Sequence, residues 1–293
     1  MKLPLRASEW IIVAFFGYVA VISPFFPDRV NLGIRPLAAL IAVYAALFAF
    51  GALDRGRRAG FVATVRDWLP LLFTFLAFRE MELFLPPVFD GRLEHGWIQL
   101  DRLLLERYRI RSAIESLGVA IPLYLECCYF FVYGVAAVCV GILYARGKRA
   151  WVDAFWIINL AGTLLAYGLF PYFPSQPPRI VFAGLDNPSF VTPVRTLNLF
   201  ILNHATIHAG VFPSAHVSSA FACAWAILLL IPERRRIGLL LLIYALSVSV
   251  ATVYGRYHYA DDVVAGFAVS LVALGVGLML KQKKPRALLA ARH

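Results

Sequence analysis

Eight stretches of mostly apolar residues recur along this chain, near 9–26, 34–53, 68–85, 119–144, 151–170, 212–231, 237–255 and 262–280. A helix needs about 20 such residues to cross the hydrocarbon core of a bilayer. In lipid, a segment must satisfy its own backbone hydrogen bonds, so apolar stretches of this length read as spanning helices. Composition supports that reading: 61% of the 293 residues are hydrophobic and 15% are charged, with a mean hydropathy of +0.73. A soluble domain carries nearer 45–50% apolar residues. The expectation is an all-α, polytopic membrane protein.

The net charge of +11 would suggest a nucleic-acid partner in a soluble chain. Here the basic residues sit in short loops, so they report topology and no nucleic acid is expected. Lys2 and Arg6 precede the first stretch, while Arg55, Arg57, Arg58 and Arg66 follow the second. Arg146, Lys148 and Arg149 follow the fourth, Arg234, Arg235 and Arg236 the sixth, and Lys281, Lys283, Lys284 and Arg286 the eighth. By the positive-inside rule both termini lie in the cytoplasm, and the loops 171–211 and 255–261 face outward. A bacterial inner membrane suits such compact loops, with a eukaryotic secretory membrane as the alternative. Segment 86–118 also falls outside, although it carries Arg92, Arg102, Arg107, Arg109 and Arg111. Glu94, Asp101, Glu106 and Glu115 offset them, which predicts an amphipathic helix lying on the surface.

The first stretch is too long for a cleaved signal peptide, and Pro24 occupies the place of a cleavage site, so it reads as a retained anchor. Cys127, Cys128, Cys139 and Cys223 all lie within apolar stretches and read as packing residues. With no internal repeat or hydrophilic linker, one membrane domain is expected. Residues 1–60 are expected to form two amino-terminal transmembrane helices, and 61–285 a six-helix bundle. Pro86-Pro87 and the run 171–178 close the third and fifth stretches, as proline cannot continue a helix. Arg79, Glu80 and Glu82 near membrane depth read as a polar bracket between helices, or as a head-group contact.

Three polar segments fall on the outer side: Phe-Pro-Ser-Gln-Pro-Pro-Arg at 173–179, Val-Phe-Pro-Ser-Ala-His-Val at 211–217, and Tyr-Gly-Arg-Tyr-His-Tyr-Ala-Asp-Asp at 254–262. His258 and Asp262 are four apart and share a face of a continuous helix. A carboxylate on one imidazole nitrogen fixes the tautomer and frees the other nitrogen to attack. Pro213-Ser214-Ala215-His216 opens a helix, where free N–H groups favour an anion. Ser214 adds a hydroxyl donor, and His216 is placed to protonate a leaving oxygen. Arg179 can clamp phosphate oxygens, and Arg256 is a second cation near the nucleophile. Phosphoryl transfer asks mainly for positioning and charge stabilisation, and this set supplies both without a metal or other cofactor. Asp261 reads as a solvated neighbour of Asp262. His204 and His208, also four apart, read as structural, as head-group contacts, or as metal ligands.

Pro-Ser-Ala-His followed by His258-x-x-x-Asp262 resembles the type 2 phosphatidic acid phosphatase (PAP2) superfamily, which shares its fold with vanadium haloperoxidases. The strings around His216 and His258 are most similar to the inositol phosphorylceramide synthase branch and its bacterial relatives. The resemblance covers about residues 65–280, with specific motifs at 173–179, 213–216 and 252–266. It implies a six-helix core, a phosphohistidine on His258 oriented by Asp262, acid–base work by His216, and phosphate binding by Arg179 and Ser214. Three positions depart from the family pattern. No Lys precedes the first-motif Arg, Ala251-Thr252 stand where the third motif has Ser-Arg, and Ala215 replaces a Gly. The substrates implied are membrane lipids, with water or an alcohol as acceptor. A phosphatidic acid or isoprenyl phosphate phosphatase is the nearer alternative. Further off are an anion-binding transporter or scaffold, and a metal enzyme built on His204, His208, His216 and His258.

Overall fold

The computed structural model describes residues 4–29, 32–54, 59–207 and 209–290. Lys2, Arg55, Arg57, Arg58 and His208, each given a role above, lie outside them. Among the described residues the chain is helical throughout, with no strand. The helices are α1 (Ala7–Ile22), α2 (Arg35–Leu53), α3 (Ala59–Glu80), α4 (Arg92–Arg102), α5 (Ile110–Ser116), α6 (Ala120–Phe131) and α7 (Val135–Ala145). They continue as α8 (Val152–Leu169), α9 (Pro178–Val181), α10 (Pro193–His204), α11 (Ala215–Leu230), α12 (Arg235–Tyr254) and α13 (Ala260–Ala290). Six of them, α1, α2, α3, α8, α12 and α13, are long and apolar enough to cross a membrane. The chain is a multi-pass integral membrane protein.

Two of the eight apolar stretches give something other than one long helix. Stretch 119–144 breaks into α6 and α7, with a turn in which the Gly134 N–H donates to the Phe131 carbonyl at 3.0 Å. Glycine is a poor helix former, and it sits at this break. Stretch 212–231 yields α11, only 16 residues long, because Pro213 and Pro232 stand just outside its ends. Segment 86–118 also differs from the single surface helix expected. It forms α4, a π turn over Leu103–Arg107, and α5, separated by Arg109 at φ 54°. Its acids divide. Glu106 pairs with Arg111 at 2.8 Å near the surface, whereas Glu94 and Asp101 turn inward and are 1% exposed.

Short α11 is the centre of the molecule, packed by α8, α12 and α13. Its small residues permit this. Ser218 Oγ donates to the Gly162 carbonyl of α8 at 3.1 Å, and a Cβ on Gly162 would meet Ala222 Cβ at 3.1 Å. Close backbone approach through small residues is what drives helix association where lipid removes the hydrophobic incentive. α8 is the other inner helix, with 67% of its spanning window buried against 28% for α13. At the start of α8, ion pairs around the buried Arg66 and Asp67 tie α1 and α2 to the rest. Arg66 holds Glu9 (2.5 Å) and Asp54 (2.7 Å), while Asp67 holds Arg6 (2.6 Å) and Arg149 (2.7 Å). Arg79 at the end of α3 is paired with Glu82 at 2.5 Å. The three polar segments gather at the opposite end of α8, about 27 Å along an 18-residue helix.

Candidate active site

Backbone hydrogen bonds join the three segments pairwise. The N–H of Gly210, just before the second segment, donates to the Ser175 carbonyl (2.8 Å), Ser214 N–H to the Asp262 carbonyl (2.9 Å), and Arg179 N–H to the Arg256 carbonyl (3.2 Å). The third segment is a tight link between α12 and α13, in which the Tyr257 and His258 N–H groups both donate to the Thr252 carbonyl. Gly266, one turn beyond Asp262, lets α13 approach this junction. A Cβ there would lie 2.4 Å from the Ser214 carbonyl oxygen.

His258 Nδ1 lies 3.1 Å from Asp262 Oδ2, the same oxygen that accepts the Tyr259 N–H at 2.8 Å. His258 Nε2 faces His216 Nδ1 at 3.2 Å. The carboxylate assigns the proton to His258 Nδ1, so Nε2 carries the lone pair and His216 Nδ1–H points at it. His258 is 5% exposed. Burial pushes its pKa well below the ordinary histidine range, and the charges of His216 and Arg179 act in the same direction. A neutral imidazole with its lone pair aimed at a second histidine is an arrangement suited to nucleophilic attack and proton transfer.

Arg179 is held by rings instead of carboxylates. Its guanidinium lies 6.0 Å over the Tyr257 ring, and among the described residues it forms no ion pair. Burial lowers its pKa, with the phenols of Tyr129, Tyr257 and Tyr133 opposing that shift. A guanidinium remains charged in such a setting. Tyr257 stacks on Tyr129 with centroids 3.9 Å apart, and Tyr129 in turn lies 5.2 Å from the His216 ring. Behind them, Glu126 Oε2 accepts from Tyr257 Oη (2.6 Å) and Asn198 Nδ2 (2.7 Å), while Oε1 accepts from Arg195 Nη1 (2.8 Å). This network escaped the sequence reading. A carboxylate, Glu126, amid an apolar stretch was the available signal.

A cavity of about 320 Å³ opens beside the histidines. Arg179, His216, His258, Tyr129, Tyr133 and Tyr257 line its polar end. From there it runs between α3 and α8 past Phe75, Phe78, Tyr167, Thr163, Asn159 and Trp156. Tyr167 to Trp156 is about 16 Å along the helix. Phe75 and Tyr133 line the cavity and are also 53% and 47% exposed, so its wall is continuous with the outer surface of the bundle.

Three other candidates lie off this wall. Ser214 is fully buried and caps α11, its Oγ accepting the Val217 N–H at 3.4 Å. Arg256, also fully buried, has φ 62° and donates through Nη1 to Asp101 Oδ2 at 2.6 Å. Its Nε and Nη2 have no hydrogen-bond partner among the described residues. Burial raises the Asp101 pKa, against the pull of Arg256 and the Ala260 N–H. His204 is exposed, stacked on Phe200 at 4.4 Å with Nδ1 against the Phe200 carbonyl. Asp261 is partly buried. Among the described residues no group of three His, Cys, Asp or Glu side chains is arranged to hold a metal ion.

A family model described as the PAP2 superfamily matches residues 107–276, which includes all three segments. No curated protein and no solved structure matches the chain. The match covers more than half of the 293 residues, and this multi-pass membrane protein therefore belongs to the PAP2 superfamily, whose members are usually phosphoesterases.

Proposed function

We propose that the protein cleaves a phosphate ester of a membrane lipid at the extracytoplasmic face, through a phosphohistidine on His258. The observation that carries this reading is the line His216–His258–Asp262, beside Arg179, which has no ion pair among the described residues, at the polar end of a largely apolar cavity. A lipid phosphate enters between Arg179 and the histidines and displaces the His216–His258 contact. Its negative charge favours the protonated form of His216. His258 Nε2 then forms a bond to phosphorus, the ester P–O bond breaks, and His216 donates its proton to the departing alcohol. Asp262 balances the charge that develops on His258. In the second half His216 takes the acceptor's proton, the acceptor oxygen bonds to phosphorus, and the N–P bond breaks. Water as acceptor gives a phosphatase, and a lipid hydroxyl gives a head-group transferase; the first half is common to both. The similarity of the His216 and His258 strings to the inositol phosphorylceramide synthase branch favours transfer. In this reading residues 61–285 are the catalytic unit, and the chain resides in a bacterial inner membrane.

The test compares wild type with His258→Ala in nanodiscs, with EDTA and no added metal. Both are given phosphatidic acid, phosphatidylinositol or an isoprenyl phosphate, with and without diacylglycerol or ceramide. Mass spectrometry follows every lipid and soluble product. Product from wild type alone supports the mechanism, and its identity separates hydrolysis from transfer. Equal product from both proteins, or activity abolished by EDTA alone, overturns it.

A further inference from the structure

Helix α4 precedes the stretch matched by the family, yet one of its faces reaches all three site segments. Glu94, Trp97 and Asp101 stand at i, i+3 and i+7, on one side of a helix. Glu94 Oε1 accepts the Gln176 N–H at 2.8 Å, in the segment that carries Arg179. The Trp97 ring stacks on Phe212 with centroids 4.8 Å apart, in the segment that carries His216, and leans on Tyr259 at 5.6 Å. Asp101 bridges the two sides of His258. Its Oδ2 accepts from Arg256 Nη1 at 2.6 Å and its Oδ1 from the Ala260 N–H at 2.8 Å. The opposite side of the helix, with Arg92, His95, Gln99 and Arg102, is exposed. A helix that merely rested on the bilayer would leave its acids in water beside those arginines. Burying two carboxylates has a desolvation cost that only well-placed partners offset, and here those partners are the site segments themselves.

We propose that α4 is a clasp on the catalytic segments, in which Asp101 is the positioning residue for the His258 loop and Glu94 the positioning residue for the Arg179 segment. The proposal rests on the catalytic reading of His258 and Arg179. Neither carboxylate lines the cavity, so each acts through the groups it holds. The two contacts therefore have separable consequences. Asp101 fixes the approach of the nucleophile and governs kcat, whereas Glu94 fixes the phosphate-binding cation and governs KM. Displacing a reacting group by about 1 Å can cost about 100-fold in rate.

The experiment uses the full chain in nanodiscs, with Asp101→Asn and Glu94→Gln compared with wild type. Turnover of phosphatidic acid is measured alongside hydrogen exchange by mass spectrometry. Asp101→Asn is expected to lower kcat by about 10–100-fold with KM little changed, and to speed exchange in 255–262. Glu94→Gln is expected to raise KM with kcat little changed, and to speed exchange in 174–180. If Asp101→Asn fails to fold, the Asp101→Asn/Arg256→Gln double variant, which leaves no buried charge unpaired, is read in its place. Unchanged exchange in both segments overturns the clasp, as do wild-type kinetics in both variants or a loss of stability with unaltered kcat and KM. A wild type with no His258-dependent turnover sinks the catalytic reading instead, and the exchange pattern alone then decides whether α4 holds these segments.

Discussion

Gly266→Ala isolates the packing that sets the histidine geometry. The added Cβ would lie 2.4 Å from the Ser214 carbonyl oxygen and 3.3 Å from Ser214 Cβ. Ordinary contact begins near 3.4 Å, so the start of α11 and the start of α13 must part by about 1 Å. The Ser214 N–H to Asp262 carbonyl bond, 2.9 Å in the native chain, spans that junction and lengthens with it. His216 rides on α11 and Asp262 on α13, so the His216–His258–Asp262 line opens by a similar amount. A shift of this size is expected to lower kcat by about 100-fold, and the overpacking to cost about 1–3 kcal/mol of stability. Gly275 on the same helix is the control, since a Cβ there meets nothing within 4 Å. The assay is turnover of phosphatidic acid in nanodiscs, with thermal unfolding in detergent as the independent readout. Gly275→Ala is expected to match wild type in both. If Gly266→Ala also keeps wild-type turnover and stability, the close approach is not what holds the histidines, and the reasoning is refuted.

Three further outcomes are expected. Arg179→Ala should raise KM by about 10–100-fold, because a charge-assisted hydrogen bond is worth about 1.5–3 kcal/mol; Arg179→Lys should recover only part, lacking the planar fork, and equal KM values in all three proteins would show that Arg179 does not contact phosphate. His258 is held by burial well below the ordinary value near 6.5. The unfolded chain therefore binds a proton there that the folded chain refuses, so stability from this group rises with pH up to about 6.5 and is level above it. The acid limb of kcat/KM should accordingly lie below pH 6.5, and a limb above that value would contradict a neutral, buried nucleophile. Arg195→Met leaves the buried Glu126 carboxylate without its cation and should cost about 3–5 kcal/mol of stability; Glu126→Met/Arg195→Met should recover much of it, and additive losses in denaturant midpoint would argue against a coupled pair.

The membrane architecture and the pairing of His258 with Asp262 are local properties, and local properties are legible in a sequence. Apolar stretches of spanning length admit few structures besides helices. A spacing of four keeps His258 and Asp262 near each other, although His258 lies in the link before α13 and not on a shared helix face as the spacing suggested. Pro213-Ser214-Ala215-His216 marked the opening of α11, but the Ser214 hydroxyl read as a phosphate donor instead caps that helix. Tertiary structure decided everything that depends on distance along the chain. The histidine contact joins residues 42 apart, Glu126 meets Tyr257 across 131, and Asp101 meets Arg256 across 155. No periodicity encodes such pairs. The same limit explains the cations. Arg179 and Arg256 are both candidate phosphate ligands on paper, and packing turns Arg179 into the cavity and Arg256 onto Asp101. It likewise drew the acids of α4 inward, because a buried guanidinium and the free N–H groups of the site segments needed acceptors that the segments themselves did not contain.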